Sequence, residues 1–276
     1  MTLAEVALDA QPVAGALGAE VRGVDLGETL TPDIVAKIES TLAQFGVVFF
    51  TGQELDVDGH AAFARALGTP KLPPAYIPTL TDAGHPEICV LSTENQLAYA
   101  TSLWHSDVTW DTNPPKYSIL HMQVAPAVGG DTMWSSQHVA FETLSAPLQA
   151  FLEPLTARHQ HPIDSSIGAD HPLVCRHPVT GRKALFCNRT FTQKINEVEP
   201  AESAALLAML YAHAARPEFS CRWRWTHGDI AIWDNHFVQH YALGDFGAAV
   251  REIHRIEIEG APPVPARWDG AVGRHR

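Results

Sequence analysis

Between Ile34 and Phe45 the apolar residues Ile34, Val35, Ile38, Leu42 and Phe45 recur at helical spacing, behind Thr31 and Pro32 and ahead of Gly46. An N-cap, a first-turn proline and a glycine stop frame that stripe, so an amphipathic helix is predicted. The β-branched and aromatic run Val47-Val48-Phe49-Phe50, ended by Thr51-Gly52, predicts a buried strand. Phe63 and Leu67 lie one turn apart before Gly68, which predicts a second helix over 60–67.

Further along, the pattern shortens. Apolar runs at 88–91, 117–124, 185–188, 221–225, 230–234 and 251–258 are separated by Gly, Pro and Asp, as expected for many short strands in a sandwich or barrel. Helical stretches interrupt them near 137–152 and 201–215. No internal repeat, low-complexity segment or linker divides the chain, so 1–276 reads as one domain, mainly β with flanking helices (α+β).

Composition narrows the function. The 276 residues are 46% hydrophobic and 18% charged, enough for a sizeable core. Lys and Arg total 19 against 31 Asp and Glu, a formal net charge of −12, which argues against binding nucleic acid or anionic lipid. No apolar run approaches a membrane span, and residues 1–10 lack the basic and apolar regions of a secretory signal. Cys89, Cys175, Cys187 and Cys221 are scattered without C-x-x-C pairs; they read as small buried residues in a cytoplasmic protein.

The chain has no G-x-S-x-G, no phosphate-binding loop, no G-x-G-x-x-G and no H-E-x-x-H. It does carry 15 histidines, the side chain that most often binds metal or moves protons near neutral pH. His-x-Asp or His-x-Glu on a strand aims both groups at one ion. The pattern occurs three times, as His85-Pro-Glu87, His105-Ser-Asp107 and His227-Gly-Asp229. The first reads as a loop and the third as a turn, whereas His105 and Asp107 lie between Trp104 and Trp110 in a setting suited to a half-buried site. His236 and His240 are candidates for a third ligand. Alternation along 251–258 then puts Arg251, Ile253 and Arg255 on one face, where guanidinium groups can grip carboxylate or sulfo groups.

Trp104-His-Ser-Asp107-Val-Thr, Gly129-Gly130-Asp131-Thr132, Trp233-Asp-Asn235 with His240, and Arg251-x-x-His-Arg255 resemble, in order and spacing, the TauD/TfdA family of iron(II)- and 2-oxoglutarate-dependent dioxygenases. The resemblance extends to residues 17–26, to the strand that ends at Gln53, and to the region from His171 to Phe191. It implies a double-stranded β-helix (jelly roll, cupin-like). It also implies a metal triad of His105, Asp107 and His240, with His240 preferred over His236, leaving positions on Fe(II) for bidentate 2-oxoglutarate and O2. Thr132 and Arg251 match the family's contacts to the distal carboxylate of 2-oxoglutarate. Arg255 matches the position that holds the sulfonate in taurine-oxidising members. With iron(II) present, these groups give the pocket a net charge of about +3.

The implied reaction is hydroxylation of a small anionic organic substrate, with succinate and carbon dioxide as co-products. A sulfonate or alkyl sulfate comes first and an aryloxyalkanoate or other carboxylate second. Tyr76, Thr101, Val108, Trp110 and Phe191 are candidate substrate contacts. The family's polar taurine contacts are replaced here in the Lys71 to Tyr76 segment and at Thr101, which argues against taurine. The stretch between Arg158 and His171 is short for the family's lid. A homo-oligomer is expected by family analogy alone. The alternatives are a zinc hydrolase using the same ligands and a metal-free jelly-roll binding protein.

Overall fold

The computed structural model describes residues 8–94 and 102–267. Its larger sheet runs, in spatial order, through Asp9–Pro12, Ala19–Arg22, Val47–Phe50, Ile230–Asp234, Tyr117–Val124, Glu252–Ile258, His85–Ser92 and Thr79–Leu80, with Pro70–Lys71 also paired to Glu252–Ile258. Every neighbouring pair is antiparallel except Ala19–Arg22 with Val47–Phe50. A smaller antiparallel sheet has the order Ser220–Trp223, Thr132–Ser136, Val238–Ala242.

Alternation sorts the larger sheet's side chains between two cores. Val47, Phe49, Leu120, Met122, Ala231, Trp233 and Ile253 join Trp134 and Val238 of the smaller sheet. Val48, Phe50, Ile119, Ile230, Ile232, Ile256 and Ile258 form the other core with residues of the helices Pro32–Phe45 and Val57–Leu67. Both faces of these strands are therefore dry, which accounts for their nearly continuous apolar runs. Trp134 and Trp233 are fully buried at the centre of the first of these cores. A third core gathers Phe141, Leu152, Leu173, Leu207 and Leu210 around the later helices.

The first helix keeps its predicted frame, with Thr31 accepting from the Ile34 amide and Gly46 closing the end. The second begins earlier, at Val57, because Asp56 supplies the N-cap by accepting from the Gly59 amide. The stretch 137–152 splits into Gln137–Glu142 and Ala146–Leu152, since Ser145 and Pro147 start a new helix. Two strand predictions shift, to Lys183–Leu185 and Ser220–Trp223. His85 opens the strand His85–Ser92 rather than sitting in a loop. All four cysteines are buried and free, as expected. No helix among the described residues is long and apolar enough to cross a membrane.

Candidate active site

His105 is held against the smaller sheet by a reciprocal backbone pair with His240, which sits on the strand Val238–Ala242; the two N–H···O distances are 3.1 and 2.7 Å. Beyond it the chain turns, so His105 and Asp107 do not share a regular strand as the spacing rule assumed. Val108 has φ +53°, a strained conformation for a β-branched residue and one that recurs at functional sites. Asn235 fixes this turn: its Oδ1 accepts from the Asp107 amide at 2.7 Å, and its Nδ2 donates to the carbonyls of Asp107 and Pro115 at 2.9 and 3.2 Å.

This arrangement brings one donor atom each of His105, Asp107 and His240 within 4.8 Å of one another, all three residues buried. Asp107 Oδ1 lies 3.7 Å from His105 Nε2 and 3.9 Å from His240 Nε2. The competing motifs are engaged elsewhere. His85 contacts Asp58 and Glu87, His227 bonds the Gln123 carbonyl, and His236 bonds the Pro114 carbonyl.

The donors have the protonation a metal needs. His105 Nδ1 donates to the Leu103 carbonyl at 2.7 Å, which fixes the tautomer and leaves the Nε2 lone pair free. Burial lowers the pKa of His105, and that of His240 to about 3. Burial pushes the Asp107 carboxyl up, but His240, Arg255 and His105 outweigh it and hold it down at about 2, while Ser118 donates to Oδ2 at 2.7 Å. Neutral imidazoles and an ionised carboxylate therefore coexist near pH 7. Two histidines and one carboxylate with open positions suit Fe(II).

Beside them, Thr132, His240, Arg251, Ile253 and Arg255 line one cavity. Arg251 is buried and donates from Nε to the Gly130 carbonyl at 3.1 Å; burial lowers its pKa to about 10, which leaves it charged. Gly129 and Gly130 have φ +77° and +72°, and a Cβ on Gly130 would meet Arg251 Cδ at 3.3 Å. The glycine pair lies in the connection between Tyr117–Val124 and Thr132–Ser136, past a bend at 127–128, and leaves room for the arginine. Thr132 Oγ1 accepts from Trp225 Nε1 at 2.9 Å, so its own proton remains available to a ligand.

Arg255 points between two carboxylates, with Nη1 3.1 Å from Asp107 Oδ1 and Nη2 3.2 Å from Glu257 Oε1. Glu257 was not among the expected site residues. The signal was present in the alternation that puts Arg251 and Arg255 on one face, since Glu257 is the next residue on it. When ionised, it lowers the expected site total to about +2.

The other expected contacts divide. Phe191 is buried, with its ring 6.3 Å from that of His105, and Val108 is buried in the turn that carries Asp107. Trp110 packs on His161 at 4.5 Å between ring centroids, and the Tyr76 hydroxyl bonds His161 Nε2 at 3.0 Å. Tyr76 is 54% exposed, which puts it at a rim. Thr101 lies outside the described residues. The segment from Arg158 to His171 forms a hairpin of Thr156–Gln160 and Gly168–Pro172. Sequence reasoning missed its role as a brace: His159 Nδ1 lies 2.9 Å from Thr109 Oγ1, and His171 Nε2 bonds the Thr109 and Asp111 carbonyls.

Comparison with known proteins agrees with this geometry. Residues 9–256 match the model of the "Taurine catabolism dioxygenase TauD, TfdA family". An alpha-ketoglutarate-dependent sulfate ester dioxygenase of Pseudomonas putida is 36% identical, over 97% of this chain and 94% of that protein. An alkylsulfatase of Acinetobacter baylyi is 31% identical, over 92% and 85%. A crystal structure of a taurine dioxygenase from Burkholderia xenovorans superposes with a TM-score of 0.84 at 38% identity, over 94% of this chain and 93% of that one. These matches set aside the zinc-hydrolase and metal-free alternatives. The fold, the buried two-histidine, one-carboxylate cluster and the paired arginines have one common explanation: this chain belongs to the TauD/TfdA family of Fe(II)- and 2-oxoglutarate-dependent dioxygenases.

Proposed function

We propose that this enzyme hydroxylates an organic sulfate ester or sulfonate at the carbon bearing the heteroatom. The observation that carries the reading is the single cavity shared by Thr132, His240, Arg251 and Arg255, together with relatives named for sulfate esters. His105, Asp107 and His240 hold iron. Arg251 and Thr132 receive the distal carboxylate of 2-oxoglutarate, a charge-assisted bond in a buried setting. Arg255 attracts the substrate's anionic group, and Val108, Trp110 and Phe191 shape the pocket, with Tyr76 at its rim; Thr101 is proposed as a substrate contact from its sequence position alone.

Bound iron supplies the oxidation of the C–H bond, coupled to conversion of 2-oxoglutarate into succinate and carbon dioxide. The protein positions both anions and excludes water. With an alkyl sulfate, hydroxylation at C1 gives a hemiacetal sulfate that breaks down to an aldehyde and hydrogen sulfate. The whole chain acts as one catalytic domain in this reading.

The test is a succinate-release screen over alkyl sulfates, alkanesulfonates, phenoxyacetates and small carboxylic acids. The expected result is succinate formation matched by inorganic sulfate or sulfite. Turnover confined to phenoxyacetates or other carboxylates, or no turnover at all, overturns the substrate assignment.

A further inference from the structure

The substrate-side arginine does not stand alone. Arg255 and Glu257 share the inward face of the strand Glu252–Ile258, two residues apart, with Nη2 and Oε1 at 3.2 Å. Glu257 is 3% exposed, and its Oε1 has no well-formed hydrogen bond. On the other edge of the guanidinium stands Asp107, whose charge a bound metal would absorb. Glu257 lies outside the metal cluster; Arg255 and the charge of Lys71, directly opposite on the strand Pro70–Lys71, offset its charge in part, and the rest stays beside whatever Arg255 binds.

We propose that Glu257 is a specificity-determining residue that makes the site accept monoanions, such as sulfate esters and sulfonates, and reject dianions, such as phosphate monoesters. The inference rests on the assignment of Arg255 to the substrate's anionic group. An oxyanion bonded to that guanidinium lies about 5–7 Å from the Glu257 carboxylate. At an effective dielectric constant of about 20, repulsion at that distance is worth roughly a hundred-fold in affinity per unit of substrate charge. A monoanion incurs it once and a dianion twice. The attraction of Arg255 grows with substrate charge as well, but the share lost to Glu257 doubles for the dianion, and that share is what a neutral residue at this position removes. Burial pushes the Glu257 carboxyl up to about 7 against the pull of Arg255, so the charge is present at pH 8. An alkyl phosphate, with its second pKa near about 6, is also dianionic there.

The experiment is anaerobic calorimetric titration of hexyl sulfate and hexyl phosphate, at pH 8, into protein loaded with Fe(II) and 2-oxoglutarate. Wild type is compared with Glu257→Gln and Glu257→Thr, and the heat of 2-oxoglutarate binding in each variant reports an intact site. The expected result is that the ratio of phosphate to sulfate Kd falls ten-fold or more in the variants, because the phosphate gains more. A ratio that stays within three-fold of wild type overturns the role of Glu257 while leaving the proposed function standing. Loss of 2-oxoglutarate binding in both variants also overturns it, by making Glu257 structural. Failure of wild type to bind hexyl sulfate contradicts the proposed function itself.

Discussion

Asp107 Oδ1 lies 3.1 Å from Arg255 Nη1, so the carboxylate of the metal cluster and the arginine assigned to the substrate form one ion-paired unit. Asp107 is buried and the Arg255 side chain is 12% exposed, and Glu257, also buried, closes the chain on the far side. Burial works against the charge on Arg255, yet Glu257 and Asp107 more than offset it and raise its pKa. Arg255→Gln leaves two buried carboxylates without their cation. Breaking a buried pair in this way costs about 3–5 kcal/mol, to be read from urea unfolding of the metal-free protein. Adding Glu257→Gln recovers part of that loss, a coupling that a double-mutant cycle measures directly. Strict additivity of the two changes is the outcome that disagrees.

Asn235 is fully buried and makes three hydrogen bonds that fix the turn carrying Asp107. Replacement by Ala removes no metal ligand, yet it frees the turn. Iron affinity is expected to fall by about 10–100-fold, as for groups that orient ligands, and unsatisfied backbone groups add about 1–3 kcal/mol of destabilisation. An anaerobic Fe(II) titration of Asn235→Ala checks the first figure; unchanged affinity contradicts this account of the turn.

In the proposed function Arg251 takes 2-oxoglutarate and Arg255 the substrate, from two positions along one strand face. Arg251→Gln is expected to raise the KM for 2-oxoglutarate about 10–100-fold, the equivalent of one lost charge-assisted bond, with a smaller effect on the KM for the alkyl sulfate. An equal rise in both constants shows that the two anions are not separated in this way.

A second histidine group gives the fold an acid sensitivity independent of catalysis. Both ring nitrogens of His60 are buried without hydrogen-bond partners. Burial, then His121, His254 and His85, lowers its pKa well below the usual value. Burial also lowers His121 to about 4. The unfolded chain therefore binds more protons than the folded one below about pH 6.5. Stability is fully present above that pH and declines as the pH falls towards 4, by up to about 1.4 kcal/mol per unit for each such histidine. Urea unfolding between pH 7.5 and 4.5 tests this, and His60→Leu is expected to flatten the slope. An unchanged slope in that variant removes His60 from the explanation.

The parts of the fold that local chemistry dictates were legible in the sequence. Thr31, Pro32 and Gly46 framed a helix that the structure keeps, and the uninterrupted runs Tyr117–Val124 and Ile230–Asp234 are strands with those bounds. Boundaries drifted where a cap or a proline decided them, as at Asp56 and Ser145. At the site, ordered motifs were enough to select His105, Asp107 and His240, which the fold brings together. Spacing alone gave the wrong local picture, since a turn with a strained Val108, not a strand, sets the positions of His105 and Asp107. Glu257 and the bracing His159 and His171 were missed for one reason. A buried partner of a site residue carries no motif of its own and becomes visible only when the strands and hairpins are assembled.

The most direct test of the central claim is the weak visible charge-transfer band of an Fe(II)–2-oxoglutarate chelate, recorded anaerobically by adding Fe(II) and then 2-oxoglutarate. The band is expected in wild type, is expected to be lost in Asp107→Ala and His240→Ala, and is expected in Arg251→Gln only at higher 2-oxoglutarate concentration. Absence of the band in wild type, or a band of undiminished intensity in Asp107→Ala, contradicts the central claim.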